Sequence, residues 1–232
     1  MENQLPVRLI ATDIDGTLLN FKKAEYASIK KCFEVFGLGE CTDEMIARYS
    51  AINDGYWKRL ERGEITKAQV LRGRFEEFFA SEKIDFSDVD GFNREYQFRL
   101  GDNVCFNDDG YEVVKNLKGK VLQYAVTNGT ATAQERKLAK SGLGELFDGV
   151  FISEKLGAEK PDIAFFNAVW NDIGSYKKDE VIIIGDSLTS DMQGGSNAGI
   201  LCCWYDPDDK PMPENIRIDY KIKTLDEIFS IL

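Results

Sequence analysis

The sequence predicts an α/β protein in which a parallel sheet is covered by helices on both faces. Short apolar runs rich in β-branched residues recur along the chain, and each ends in a polar or glycine-containing turn. Amphipathic stretches lie between the later runs, and strands that alternate with helices are typical of βαβ units. Between Asn20 and Asn103 only helical patterns occur, which indicates a helical insert after the first strand.

Five apolar runs have the length and composition of buried strands. They are Val7–Thr12, Val121–Thr127, Gly149–Ser153, Val181–Gly185 and Ile200–Tyr205. The stretches expected to form helices between the later strands are Thr130–Ser141, Pro161–Asp172 and Asp191–Ala198. The segment Asp206–Asn215, rich in proline and aspartate, is expected to be an exposed loop.

The insert itself carries two helical patterns. Lys22–Phe36 places apolar side chains along one face, and Thr66 is a suitable N-cap for a helix that continues to Phe79. We therefore expect an α/β core formed by residues 1–19 and 104–232, and a helical domain formed by residues 20–103.

The composition excludes several kinds of chemistry. The 232 residues include no histidine, which rules out Ser-His-Asp and Cys-His catalysis and His-ligated zinc. The net charge of −11 argues against a nucleic-acid polymer or an anionic membrane as the main partner. The five cysteines form no CxxC pair, so we expect reduced thiols and a cytoplasmic location. The oligomeric state stays open.

Two carboxylates follow the first predicted strand, in the run Asp13-Ile14-Asp15-Gly16-Thr17. At a strand end both can face the crevice where open α/β sheets bind ligands. Two such charges about 4 Å apart repel by roughly 4 kcal/mol at an effective dielectric of about 20, so a cation or a shared proton is expected. Taken alone, this pattern is more often a solvated turn.

A second acidic pair follows the apolar run Val181–Gly185, where Asp186 comes first and Asp191 five residues later. Asp191 has an alternative role as a helix N-cap, whereas Asp186 has none. If the two strands are neighbours, these residues join Asp13 and Asp15 in an oxygen-rich site suited to Mg²⁺.

Two further strand ends offer groups that bind phosphate. Thr127 and Asn128 supply a hydroxyl and backbone N–H groups just before a predicted helix, where anions bind, although Asn128-Gly129 is equally typical of a simple turn. Lys160 precedes another predicted helix that begins near Pro161. A single lysine is normally a solvated charge. Lys160 is a candidate only because the other predicted strand-end residues accompany it.

In their order along the chain, Asp-x-Asp-Gly-Thr, Thr-Asn-Gly, Lys-Pro and Gly-Asp-x-x-x-x-Asp resemble the four motifs of the haloacid dehalogenase superfamily. The resemblance covers Val7–Thr17 and Asn103–Leu232. It implies a doubly wound, Rossmann-like sheet whose first strand lies between the strands that carry Thr127 and Asp186. It also identifies the helical insert as a cap placed after the first motif.

The resemblance implies a Mg²⁺-dependent phosphomonoester hydrolase. Asp13 would attack phosphorus to form an aspartyl-phosphate, and Asp15 would act as general acid and then as general base. Lys160 would bridge the nucleophile and the phosphate. The metal ligands that it implies are Asp13, the Asp15 carbonyl, Asp186 and, directly or through water, Asp191, and the phosphate ligands are Thr127, the Asn128 N–H and Lys160.

Other branches of the superfamily fit less well. Dehalogenases carry an aromatic residue in place of Asp15, and the sugar-phosphate mutases need a cap histidine, which this chain lacks. Lys22 and Lys23 leave open the phosphonate-cleaving branch, which uses a cap lysine. A phosphorylated receiver domain of a signalling protein is a distant alternative, since receivers are about half this length and have no cap.

Ala51–Trp57, Gly63–Thr66 and Leu71–Glu76 are similar to the bacterial pyrimidine 5′-nucleotidases of the superfamily, which hydrolyse nucleoside monophosphates. A nucleobase stacks on aromatic or guanidinium planes. Candidate contacts are Tyr56, Trp57, Arg72 and Arg74, whereas aromatic residues at helical spacing are more often cap core. A sugar-phosphate or phosphoglycolate phosphatase of the same fold is the alternative.

Overall fold

The computed structural model describes residues 7–174 and 176–232 and confirms the predicted α/β fold. Six parallel strands form one sheet in the order β3-β2-β1-β4-β5-β6. The strands are β1 Leu9–Thr12, β2 Leu122–Thr127, β3 Gly149–Ile152, β4 Val181–Gly185, β5 Leu201–Tyr205 and β6 Tyr220–Ile222. The strand order is that of a doubly wound sheet with β1 at its centre.

The sheet is surrounded by helices whose bounds differ by a few residues from the predicted ones. The α-helices are α1 Phe21–Phe36, α2 Asp43–Glu61, α3 Lys67–Glu82, α4 Val89–Asp102, α5 Gly110–Leu117, α6 Ala131–Ser141, α7 Ser153–Leu156, α8 Ile163–Ile173 and α9 Gln193–Ala198. A π-helical turn, Leu188–Met192, precedes α9 where the sequence predicted one continuous helix from Asp191.

Strand β1 sets the position of the site, because all four of its residues are buried between two neighbours. Thr12 is level with Ala125 of β2 and with Ile184 of β4. The residues that follow these three strands therefore emerge at the same edge of the sheet. This confirms the predicted placement of the first strand between the strands that carry Thr127 and Asp186.

The short strand β6 was not predicted. Its three residues, Tyr-Lys-Ile, are too few for a period to be recognised, and it forms the outer strand beside β5. The predicted loop Asp206–Asn215 lies in irregular backbone between these two strands, as expected.

The four helices of the insert begin at side chains that accept a hydrogen bond from the backbone N–H three residues later, which stabilises each first turn. These capping residues are Asn20, Thr42, Thr66 and Asp88. The predicted cap at Thr66 is confirmed and is reciprocal, since Gln69 Oε1 accepts from the Thr66 N–H at 2.8 Å.

Helices α1 to α4 share an aromatic core that is separate from the two apolar layers beside the sheet. Its buried rings are Phe33, Tyr49, Phe75, Phe78, Phe79, Phe92 and Tyr96. Packing of α4 along α6 joins this bundle to the α/β part. Two polar contacts add to this joint: Thr189 donates to Glu61 at 2.6 Å, and Lys67 pairs with Glu159 at 3.2 Å.

Within the described ranges, 7–174 and 176–232, no helix combines the length and the apolar character that crossing a bilayer requires.

Replacement of Phe78 by alanine should lower the free energy of unfolding by about 3–5 kcal/mol, because it leaves a cavity among fully buried rings. Chemical denaturation followed by circular dichroism would measure the change. Phe98→Ala is the matched control, since that ring is 43% exposed and its loss should cost less than about 1 kcal/mol. Equal losses in the two variants would contradict a packed aromatic core.

Candidate functional site

Three carboxylates form an acidic cluster at the carboxyl edge of the sheet: Asp13 after β1, Asp186 after β4, and Asp191 in the π-helical turn. One oxygen from each lies within 4.8 Å of the others. The sequence placed these residues at two strand ends, and the pairing of β1 with β4 brings them together.

Lys160 is buried against this acidic cluster, with 1% of its surface exposed. Its Nζ donates to Asp13 Oδ1 at 2.8 Å, to Asp191 Oδ1 at 2.6 Å and to the Val126 carbonyl at 2.7 Å. An ammonium group has three N–H donors, so all of them are used. Lys160 therefore fixes the Asp13 carboxylate relative to Asp191.

Asn128 fixes the position of Lys160 through the backbone. Its Oδ1 accepts from the Lys160 N–H at 2.8 Å, and its Nδ2 donates to the Lys160 carbonyl at 2.8 Å and to Ser190 Oγ at 3.2 Å. The Asn128 side chain thus joins the loops after β2 and β4 and the segment before α8. Its backbone and that of the buried Thr127 remain beside Asp13.

The electrostatics of the acidic cluster favour a bound cation. Burial raises the pKa of Asp13 well above its ordinary value, and repulsion by Asp191 and Asp186 raises it further against the attraction of Lys160. Desolvation and the charge of Asp191 likewise raise the pKa of Asp186 to about 7. Burial opposes the charge of Lys160, yet Asp13 and Asp191 hold its pKa above the ordinary range.

The donor set of this acidic cluster consists of carboxylate oxygens, which are the ligands that hard divalent cations such as Mg²⁺ prefer. Lys160 supplies only one positive charge for three carboxylates. The residues present therefore fit a metal ion, whose charge would relieve the repulsion that raises the pKa values of Asp13 and Asp186.

The turn after β1 holds Asp186 through a residue that the sequence reading missed. Thr17 Oγ1 donates to Asp186 Oδ1 and accepts from the Asp186 N–H, each at 3.0 Å. Gly16 has φ +94°, and a Cβ there would lie 2.5 Å from Asp186 Oδ2. Only glycine fits this close approach. The sign of this role in the sequence was the place of Thr17 at the end of the Asp-x-Asp-Gly-Thr motif.

A cavity of about 190 Å³ opens from this acidic cluster toward the helical insert; we call it the strand-end cavity. From the sheet edge it is lined by Asp13, Asp15, Thr127, Asn128, Gly129, Asp186, Ser187, Ser190 and Asp191. From the insert it is lined by Phe21, Asn53, Asp54, Trp57 and Glu61. The structure thus brings all the predicted strand-end residues except Lys160 to one surface, with Lys160 buried beneath them.

The four residues of the insert that were candidates for contact with a nucleobase do not lie at one site. Trp57 lines the strand-end cavity, and its indole N–H donates to Asn53 Oδ1 at 3.1 Å. Arg74 is buried behind Asn53 and donates to the same oxygen at 2.8 Å. Tyr56 and Arg72 line a different cavity, so the arrangement does not support a substrate contact for either. Helix α2 turns adjacent residues about 100° apart, which separates Tyr56 from Trp57.

Asp15 lines the strand-end cavity and accepts hydrogen bonds from two side chains of α6, Gln134 and Lys137. The sequence offered no sign of the contact with Lys137, because a lysine in an amphipathic helix usually faces solvent.

Residues 10–205 match the model of a family described as haloacid dehalogenase-like hydrolase. The chain belongs to this family. Membership confirms the predicted resemblance to the haloacid dehalogenase superfamily and the prediction of a hydrolase. It speaks against the alternative of a receiver domain.

Several haloacid dehalogenase-like relatives match over most of the chain. The HAD-hydrolase YfnB of Bacillus subtilis is 34% identical and covers 97% of this chain and 95% of its own. The pyrimidine 5′-nucleotidase PynA of Streptococcus pneumoniae is 34% identical, covering 86% of this chain and 84% of its own. The pyrimidine 5′-nucleotidase YjjG of Escherichia coli is 28% identical over 95% of each chain.

Solved structures agree with the fold. A crystal structure of YfnB bound to magnesium superimposes with a TM-score of 0.90, covering 97% of this chain and 98% of its own at 34% identity. A dehalogenase structure at 17% identity, with a TM-score of 0.76 over 100% of this chain and 98% of its own, shares the fold.

The raised pKa values predict how metal-free stability depends on pH. Because Asp13 and Asp186 hold protons more tightly in the folded state than in the unfolded chain, the free energy of unfolding should fall as pH rises from about 4 to about 7. Asp186→Asn removes one of these groups and should flatten that fall. Thermal unfolding in EDTA at about pH 5 and about pH 8 would measure the difference.

Asp226→Asn, at an exposed carboxylate, is the control for this experiment and should follow the wild type. A wild type and an Asp186→Asn variant with the same pH dependence would contradict the repulsion inferred here.

Proposed function

We propose that this chain is a Mg²⁺-dependent phosphomonoester hydrolase that acts through an aspartyl-phosphate on Asp13. The observation that carries the proposal is the buried contact of Lys160 with Asp13 at 2.8 Å, beside two further carboxylates that suit a divalent cation. A nucleophilic carboxylate, a fixed cation and a metal-binding donor set are the parts that phosphoryl transfer needs.

The proposed reaction has two steps. The Asp13 carboxylate attacks phosphorus, and the bond from phosphorus to the leaving oxygen breaks as Asp15 gives that oxygen a proton. Asp15 then accepts a proton from the water that attacks the aspartyl-phosphate, which restores the Asp13 carboxylate and releases inorganic phosphate. The same residue thus serves as acid and then as base, and this route needs no histidine.

The remaining residues would bind and orient the phosphoryl group. Thr127 and the backbone of Asn128 would hold one phosphoryl oxygen, and Lys160 would keep the nucleophile in place. The carboxylates of Asp13 and Asp186, with the Asp15 carbonyl, would hold Mg²⁺, and Asp191 would support it directly or through water. When bound, the metal supplies positive charge against the charge that develops on the transferred group.

We further propose a two-part organisation with an α/β core, residues 1–19 and 104–232, and a cap, residues 20–103. The separate aromatic core of α1 to α4 supports this division for the described part of the chain. Residues 1–6 of the proposed core lie outside the described residues. The cytoplasmic location and the independence from nucleic-acid polymers and membranes stay predictions from the sequence.

A nucleoside monophosphate is the proposed substrate class, with pyrimidine nucleotides as the leading members. Two relatives named pyrimidine 5′-nucleotidases support it. Phe21 and Trp57 offer aromatic surface for a base on the cap side of the strand-end cavity. Asn53 fixes Trp57, because its oxygen accepts from both Trp57 and Arg74 while its Nδ2 donates to Glu25 at 3.0 Å.

The charge of the strand-end cavity disfavours phosphoglycolate. Among the described residues that line it, none is lysine or arginine, and the cap contributes Asp54 and Glu61. A second anionic group on the substrate would therefore meet like charges, and the described cations beside the cavity are already paired, Lys22 with Asp54 at 3.1 Å and Lys160 with Asp13 and Asp191. A sugar phosphate whose sugar part is uncharged has no second anionic group, so it avoids this repulsion and is the second candidate substrate.

Asp13→Asn should reduce phosphate release from thymidylate or uridylate by about 10³-fold or more, because it removes the nucleophile. EDTA should abolish the activity of the wild type, and added Mg²⁺ should restore it. A malachite-green assay of released phosphate would measure both effects. A folded wild type that releases no phosphate from any monophosphate with Mg²⁺ would refute the proposed reaction.

Trp57→Ala should lower kcat/KM for pyrimidine nucleotides by about tenfold, since a stacked base contributes about 1–3 kcal/mol. The value for glycerol phosphate, which has no base, should change by less than about threefold. Tyr56→Ala is the matched control and should affect neither substrate, because Tyr56 lines a different cavity. Equal losses on both substrates would favour the sugar-phosphate alternative.

A further inference from the structure

The carboxylate of Asp15 is held from behind by helix α6. We propose that Gln134 and Lys137 are positioning residues that aim Asp15 at the leaving oxygen of the substrate. This inference rests on the proposed function, in which Asp15 is the acid and base, and it assigns to α6 a part in the reaction.

Each oxygen of Asp15 has its own donor. Gln134 Nε2 donates to Oδ2 at 2.6 Å, and Lys137 Nζ donates to Oδ1. The two residues are three positions apart, so they share one face of α6. Because two separate side chains hold the two oxygens, the carboxylate plane cannot rotate freely. One lone pair of each oxygen remains for exchange of a proton with the substrate.

The burial of Lys137 makes this contact specific. Its side chain is 1% exposed, and Asp15 is the one acid within ion-pair distance among the residues described. A buried ammonium needs hydrogen-bond acceptors, so Lys137 depends on Oδ1 of Asp15, which can accept this bond whether or not the carboxyl carries a proton on Oδ2. The aromatic ring of Phe21, 5.5 Å from Nζ, covers the ammonium beside the strand-end cavity.

Two features of Gln134 fit a functional role better than a purely structural one. A Cβ on Gly129 would lie 2.1 Å from Gln134 Nε2, so the glycine leaves room for the amide beside Asp15. Within the described chain the buried Oε1 of Gln134 has no hydrogen-bond partner, which is a cost to stability. The amide is therefore oriented by Asp15 and by no other polar contact in that part of the chain.

The test compares two esters that differ in their need for an acid. The leaving group of thymidylate is the alkoxide of thymidine, which must be protonated, whereas that of p-nitrophenyl phosphate is the stabilised p-nitrophenolate. The value of kcat/KM covers the steps up to departure of this group, so hydrolysis of the aspartyl-phosphate does not affect it. Misplacing Asp15 should therefore harm the first substrate selectively.

Gln134→Leu and Lys137→Met should each lower kcat/KM for thymidylate by about tenfold or more, and for p-nitrophenyl phosphate by less than about threefold. Lys137→Arg, which keeps the charge, should recover part of the loss on thymidylate. Lys140→Met, at an exposed lysine of the same helix that pairs with Asp102, is the control and should alter neither value.

Equal losses on both esters, with no recovery in Lys137→Arg, would overturn the proposal, because they would indicate a defect in packing or phosphate binding. Thermal unfolding would show whether Lys137→Met folds. If it does not, the values of kcat/KM for Gln134→Leu on the two esters test the proposal, because that substitution removes no charge. A folded wild type that hydrolyses neither ester would instead refute the proposed function.

Discussion

The contact of Lys160 with Asp13 and Asp191 is the interaction on which the site depends. Three carboxylates at the edge of a buried sheet repel one another, and one ammonium group with all its protons engaged keeps two of them in place. Its own position depends on the backbone bonds to Asn128. Strand pairing brings these loops to one edge, and the charge of Lys160 allows their carboxylates to stay close together there.

Much of this arrangement was predictable, because it follows from strand ends. Asp13, Thr127 and Asp186 come directly after or at the end of apolar runs, and parallel strands that pair in register deliver their last residues to one edge. Contacts between side chains from elements far apart in the sequence were not predictable. The bond of Lys137 with Asp15 crosses from a helix to a loop, and periodicity cannot show which buried face of α6 meets which loop.

The helical insert shows the same limit at the scale of single residues. Tyr56 and Trp57 are neighbours in one helix, and the sequence offers both as aromatic planes. Their separation depends on which side of α2 faces the sheet edge, and this is set by the packing of α2 with α3 and with the turn before α9. The unpredicted strand Tyr220–Ile222 has a similar cause, since it is too short to carry a pattern.

The separate aromatic core of α1 to α4 has a consequence for how such a chain can diverge. Apart from Phe21, the residues by which the insert lines the strand-end cavity belong to α2, while the charges that would perform the reaction stay with the loops of the sheet. Substitutions of Asn53, Asp54 or Trp57 can therefore alter which molecule is accepted without disturbing the acidic cluster, whereas Glu61 accepts from Thr189 in the turn that carries Asp191. In the proposed division, new specificities can be acquired in the cap while the chemistry of the core is inherited unchanged.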